Sequence, residues 1–323
     1  MKSNMRSGRR TFLGFLTASP WSLASIRGEA QPRTELNLFT YFALSGGKSG
    51  RLFADKVAEK SAGTIRVSAD VMVLIPPFQR IGRASAFASY IASEFASIEP
   101  VLGLSALPML TATFDEAETL ARIARPYYDS ALARYGQILL ATEPWQPTAL
   151  WSTFPIRSNA DLKGVPFALS LLAEQMGWKK TLVRLGARHS SFSDAELMLS
   201  VGYDDHVRFT REFAYLTETF LAVPLKFLTA GREVFESLTE AQRGLLVETG
   251  RDTEAAFWKA NRELLHRNHQ DATRRGVSLI APGSDVLTAL RIAAAPDIQA
   301  WVESMGADGS TILSQFRRAV GHE

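Results

Sequence analysis

Gly46-Gly47-Lys48-Ser49-Gly50 ends as a phosphate-binding loop ends, in Gly-Lys-Ser. A Walker loop also needs a glycine five positions before Gly47, to wrap backbone N–H groups around a phosphate, and Phe42 stands there. The stretch is therefore read as a loop at a helix N-terminus, which can still lie against a ligand anion. His266 and His269 stand three apart, a spacing that lets one helix face hold a metal, but no third ligand accompanies them and a solvated face accounts for both. Gly103-Leu104-Ser105-Ala106-Leu107 offers a serine but lacks the second glycine of a nucleophile elbow. His206, Arg208, Arg211 and Lys226 are cations that can grip an anion or simply face water. Tyr41, Trp145 and Trp151 carry rings that wall a cleft or fill a core, Trp151 being assigned to the core.

Composition narrows the class. The chain has 323 residues, 46% hydrophobic and 21% charged, enough for two lobes around ordinary cores. It has no cysteine, which excludes disulfides, thiolate nucleophiles, Cys-held metals and a lipoprotein attachment site. Of the net charge of +3, residues 1–30 carry a surplus of four (Lys2, Arg6, Arg9, Arg10 and Arg27 against Glu29), so the remainder stands at −1. A near-neutral body has no electrostatic footprint for nucleic acid. The basic start is read as an address: Arg9-Arg10 precedes the apolar run Phe12–Leu23, too short to span a bilayer, and small residues follow at Ser22-Leu23-Ala24 and Gly28-Glu29-Ala30. A twin-arginine signal exports folded protein.

The elements that must position these residues alternate strand and helix. Thr34–Tyr41, Thr64–Val73, Tyr90–Phe95 and Gln137–Ala141 read as strands, and Gly50–Ala62, Phe78–Ser89 and Asp115–Ala133 as helices. The middle of the chain is a hinge-like entry into a second lobe. Leu150–Ile156 reads as a buried strand, Ser158 with Asp161 as a helix cap with an acid at N3, Gly164 as the stop, and Val165–Leu169 as the next strand. Helices are expected at Leu171–Leu185 and Ser193–Ser200, and a strand at Val223–Thr229. Thr239 then caps a run to about Arg275, about 50 Å of helix at 1.5 Å per residue, longer than one lobe. Gly276–Ile280 reads as a strand, and Asp285–Ala294 and Asp297–Met305 as closing helices.

Phe154, Pro155, Ile156, Ser158 and Asp161-Leu162-Lys163-Gly164 form a run that resembles the mid-chain signature of the TRAP-transporter solute-binding proteins. Phe53, Ala54, Val57, Gly63, Ile65 and Val67 are similar to that family's first helix and strand, and Leu238, Thr239 and Gln242 to the start of its spanning helix, with Phe235 in place of a Trp. The resemblance covers nearly the whole chain after the address. It implies an α/β, two-lobed periplasmic-binding-protein fold with a cleft between the lobes and a long helix spanning both. It assigns 31–150 with about 223–255 to lobe I, and 151–222 with about 256–323 to lobe II. It further implies a periplasmic monomer that is not an enzyme, that uses no cofactor or metal, and that hands a small organic ligand to TRAP membrane permease subunits. An exported hydrolase-like α/β enzyme and a ligand sensor without transport are the alternatives.

The sequence departs from the family at the pocket. The family's carboxylate-gripping Arg follows the turn by a fixed interval, and Ala168 stands there; His206 replaces a Gly beside Asp205. A guanidinium grips a carboxylate in two places at once, and alanine cannot. Losing that pair in a dry site costs several kcal/mol, about a thousandfold in affinity or more. The ligand is therefore expected to be less acidic, more apolar, or held by another cation, Arg208 and Lys226 first. The residues expected at the ligand are Tyr41, Phe42, Trp145, Ala168, Asp205, His206, Arg208 and Lys226.

Export through the twin-arginine route has a direct test. Mass spectrometry of the periplasmic fraction is expected to find a shortened chain beginning near Ser25 or Gln31, and Arg9→Lys with Arg10→Lys is expected to hold the precursor in the cytoplasm.

Overall fold

The computed structural model describes residues 33–41, 47–72, 74–170, 173–174, 176–200 and 213–321. The expected address segment, Phe42, Asp205, His206, Arg208 and Arg211 lie outside these residues. The first part of the chain runs β1 (Thr34–Tyr41), α1 (Lys48–Lys60), β2 (Ile65–Met72), α2 (Phe78–Ala84), β3 (Phe87–Ile91), α3 (Phe114–Ala133) and β4 (Gln137–Pro144). It continues as β5 (Ala149–Ser152), β6 (Pro166–Leu169), α4 (Lys179–Arg184), β7 (Arg188–His189), β8 (Leu197–Ser200) and β9 (Tyr215–Thr217). It closes with β10 (Leu225–Gly231), α5 (Arg232–Ser237), α6 (Glu240–Arg274), β11 (Ser278–Ile280), α7 (Ser284–Met305) and α8 (Ala307–Val320).

Two sheets result, ordered β2-β1-β3-β10-β4 and β11-β9-β5-β8-β6-β7. Each contains one strand that opposes its neighbours: β10 in the first and β5 in the second. Both are strands that the chain enters from the other sheet. The remaining strands point their C-terminal ends at the crossing segments, so a strand entered directly through one of those short segments starts at that edge and runs the other way; β11 arrives by way of α6 and runs parallel to β9.

The caps sit where the sequence puts them. Asp161 accepts the backbone N–H of Ser158 at 2.8 Å and of Arg157 at 2.9 Å, and these bonds hold its carboxyl below the usual carboxylate range. The turn they cap is a short 3₁₀ segment, Asn159–Leu162, stopped by Gly164 at φ +75°. Thr239 and Gln242 form a second reciprocal box at the start of α6, which is 35 residues long as expected.

Several expectations are corrected. The helix through Ser89 ends at Ala84, and the strand expected at Tyr90–Phe95 is β3, with Ala92–Phe95 a 3₁₀ turn. Ser193–Ser200 is a 3₁₀ turn, Phe192–Asp194, followed by β8. Both strands are buried on both faces, so their continuous apolar runs carry no period of two to separate them from helix. The helix expected over Leu171–Leu185 is interrupted: Ala173 and Glu174 are helical, a turn follows with Gly177 at φ +76°, and α4 begins at Lys179. The two closing helices are one, α7, with Pro296 inside it. Trp301 at its end and Ile312 and Phe316 of α8 pack with Tyr128 and Phe227 on the first sheet. The cause is an apolar stripe on α8 that α3 covers.

Helix α6 is fitted to β4 at backbone level. A Cβ on Gly250 would lie 2.7 Å from the Leu140 carbonyl oxygen, so only glycine permits this approach. One turn on, Glu254 accepts the backbone N–H of Thr142 at 3.0 Å, and the Thr142 hydroxyl too. Beyond β4 the helix reaches the second sheet, where Ala272 is buried with Trp151, Met198 and Leu216.

Two glycines of α6 give opposite expectations. Nothing stands within 4 Å of a Cβ at Gly244. Gly244→Ala is expected to stabilise by up to about 1 kcal/mol through helix propensity. Gly250→Ala should destabilise despite the same propensity gain, because a backbone atom has to move. Urea denaturation of both variants checks the pair of signs.

Candidate functional site

A cavity of about 290 Å³ opens at the C-terminal edge of the first sheet, where the chain crosses to the second. The end of β4 supplies Glu143 and Pro144, and the crossing segment supplies Trp145 and Gln146. The N-terminus of α1 supplies Lys48 and Ser49, and β10 supplies Lys226. Helix α6 forms the wall from Phe257 to Asn268. It can do so only because the Gly250 contact and the Glu254 bonds hold it against β4.

The polar centre is a closed ring of three side chains. The Lys226 ammonium donates to Glu143 Oε2 at 2.8 Å and to Ser49 Oγ at 3.1 Å. Ser49 donates its one proton to Glu143 Oε1 at 2.6 Å. The register of β10 on β4 sets Lys226 directly opposite Glu143. The Trp145 ring stands 5.7 Å from the ammonium, within reach of a cation–π attraction. Lys226 is 2% exposed. An ammonium at that depth persists only when its charge is opposed and its protons are accepted, and the ring does both.

Gln146 is oriented from outside the ring. Its Nε2 donates to Asn261 Oδ1 at 2.9 Å and to the Asn261 carbonyl at 3.1 Å. Asn261 is itself held by Nδ2 donating to the Phe257 carbonyl at 3.0 Å. With both acceptors of Asn261 on its nitrogen side, the Gln146 amide has one orientation, and its buried Oε1 makes no hydrogen bond. At the rim lie Lys48 and Arg267, the latter 3.6 Å from Glu263.

Of the residues expected at a ligand, the structure brings Trp145 and Lys226 together at this cavity. Tyr41 is not among its lining residues; it is 2% exposed, packs in the core on the opposite face of the first sheet, and burial raises its hydroxyl pKa. Ala168 is also elsewhere. Register places it beside Met198 and Trp151 on one face of the second sheet, 4% exposed. Ser49, Glu143, Gln146 and Asn261 were not singled out as ligand residues. For Ser49 a signal existed, the Gly-Lys-Ser run at a helix start. For Glu143 none did, because β4 was expected to end at Ala141.

The other constellations resolve as structure. Ser105 Oγ accepts the Leu225 N–H at 3.1 Å. His269 Nε2 lies 2.6 Å from Glu218 and His266 Nε2 lies 2.9 Å from Gln270. Among the described residues no three His, Asp or Glu side chains group to hold a metal, and no helix is long and apolar enough to cross a membrane.

No protein-family model matches the chain, and no curated protein does. Solved structures do. DctP6, a Bordetella pertussis extracytoplasmic solute receptor binding pyroglutamic acid, aligns with a TM-score of 0.76 at 22% identity, over 88% of this chain and 100% of its own. A TRAP periplasmic solute-binding protein from Ochrobactrum anthropi, with its C-terminus bound in the ligand-binding pocket, aligns at 0.77 and 17%, over 90% and 97%. One from Ralstonia eutropha with bound (S)-2-acetolactate aligns at 0.74 and 18%, over 90% and 99%. The chain therefore has the α/β fold of the TRAP periplasmic solute-binding proteins, with two mixed sheets and one long helix.

Breaking the ring tests its energetics. Lys226→Met leaves Glu143 without its counter-charge and is expected to destabilise by about 3–5 kcal/mol, the usual penalty for half of a buried pair. Adding Glu143→Leu should recover most of that loss. Chemical denaturation of the single and double variants reads both.

Proposed function

We propose that this protein is an extracytoplasmic solute receptor of the TRAP type. It captures a small organic molecule in the cavity between β4, β10 and α6 and delivers it to membrane permease subunits without changing it chemically. The observation that carries the reading is the cavity itself: a concave site at the strand C-terminal edge, beside the segment joining the two sheets, with a few convergent polar groups against Trp145, Leu52 and Phe257. Sites of this kind in open α/β sheets gather at strand C-termini. The fold likeness to receptors adds to it.

In this reading residues 1–30 address the chain for export, and the described body works as two lobes. The first is built on β1–β4 and β10 and includes α8; the second is built on β5–β9 and β11. Residues 145–148 and 218–224 are the connections that bend when a ligand draws the lobes together. Pyroglutamate and (S)-2-acetolactate, which related folds hold, define the size of molecule to be tried.

Thermal-shift screening of the processed protein against small organic solutes of that size is expected to give a saturable rise in Tm. Trp145→Ala should weaken the binding at least about tenfold, as loss of an aromatic wall removes about 1.4 kcal/mol or more. X-ray scattering should register a contraction on saturation. A protein whose Tm and radius ignore every such solute, and which is retained in the cytoplasm, overturns the reading.

A further inference from the structure

The receptor reading leaves the class of ligand open, and the inner wall of the cavity narrows it. Lys226, the deep cation among the described lining residues, has its protons directed at Glu143, Ser49 and the Trp145 face. Its charge is already balanced within the ring. A ligand carboxylate entering here would compete with Glu143 and would bring a second negative charge beside it. The built-in counter-ion argues against Lys226 as a substitute for the missing arginine.

What the inner wall does offer is acceptors. Gln146 is 5% exposed, lines the cavity, and has its amide orientation fixed by Asn261. Its Oε1 is a buried acceptor without a donor, which costs about 1–3 kcal/mol while unmet. Glu143 stands three residues away in sequence on the same wall, a carboxylate whose oxygens each hold one bond and accept a second. Neutral ring, orphan acceptor, acidic acceptor and indole face together select a group carrying several protons. A hydroxyl brings one proton and an amide NH₂ two, both without charge; an ammonium brings three but sets a second positive charge beside Lys226. Among the described lining residues, anionic charge is matched at the rim, by Lys48 and Arg267.

We infer that this cavity is specific for solutes that present a neutral amide N–H group to Gln146 and Glu143, and that acids without such a group are not its substrate class. The inference rests on the receptor reading above and restricts it. A ligand of this class that is also an acid turns its carboxylate outward to the rim.

Matched probes test it on the processed full-length chain. Succinate is compared with succinamate and glutarate with glutaramate, by thermal shift and then calorimetry. Within each pair the amide member is expected to bind at least tenfold more tightly. Gln146→Met, of the same length without the acceptor, should abolish that preference. Gln146→Glu, which keeps an acceptor and adds charge, should retain succinamate binding even where the Met variant folds poorly. If an acid without N–H binds as tightly as its partner, the inference is overturned while the receptor reading stands. If the preference survives in Gln146→Met, the assignment to Gln146 is overturned. If no member of any pair shifts the protein, the inference is overturned, while the receptor reading is decided by the wider solute screen.

Discussion

The contact on which the site depends is the seating of α6 along β4. The two elements run in the same direction, and their contacts step together: Gly250 on Leu140, Glu254 on Thr142, Asn261 on Gln146. Two residues of strand rise about 6.6 Å and four of helix about 6 Å, so the first two contacts are in phase. The first contact sets how close the helix lies, because a carbonyl oxygen occupies the place of a Cβ. The later contacts then fall where a glutamate and an asparagine can reach the strand and the crossing segment. Without the close approach at Gly250, Asn261 could not orient Gln146, and Phe257 and Leu264 would not wall the cavity.

The second constraint is electrostatic. A nearly buried lysine is tolerated because β10 and β4 are paired with Lys226 opposite Glu143, and because α1 begins with a serine at the same place. Sheet order therefore decides the charge state of the cavity wall. Had β10 paired one residue out of register, its side chains would have changed faces and the ammonium would point toward Tyr90 and Tyr128 on the far side. The same pairing also means that the cation is spent within the protein, so that among the described lining residues the cavity is close to neutral at its depth and charged at the rim.

The crossings give the fold its pattern. One opposing strand in each sheet, β10 and β5, marks where the chain passes from one sheet to the other, and the strand ends that meet there are where a receptor site belongs. The long helix ties the two sheets at a second place, with Ala272 buried against Trp151 after leaving the first sheet.

Much of this was legible in the residues alone. The caps at Ser158–Asp161 and Thr239–Gln242 are local hydrogen-bond patterns, so sequence spacing determined them, and with them the entry to the second sheet and the start of α6. The length of α6 followed from its composition. The alternation of β1 and the glycine stops followed from backbone preference. What the sequence could not show was burial on both faces, which erased the period of β3 and β8, and the end of β4, which placed Glu143 in the site. Whether Gly250 weakens a helix or admits a strand is decided by a carbonyl far away in the chain, at Leu140. Whether Lys226 is an available cation is decided by Glu143, 83 positions before it in the sequence. A single side chain's identity is local information; its free charge and its free hydrogen-bonding capacity are properties of its neighbours, and only the tertiary structure chooses those.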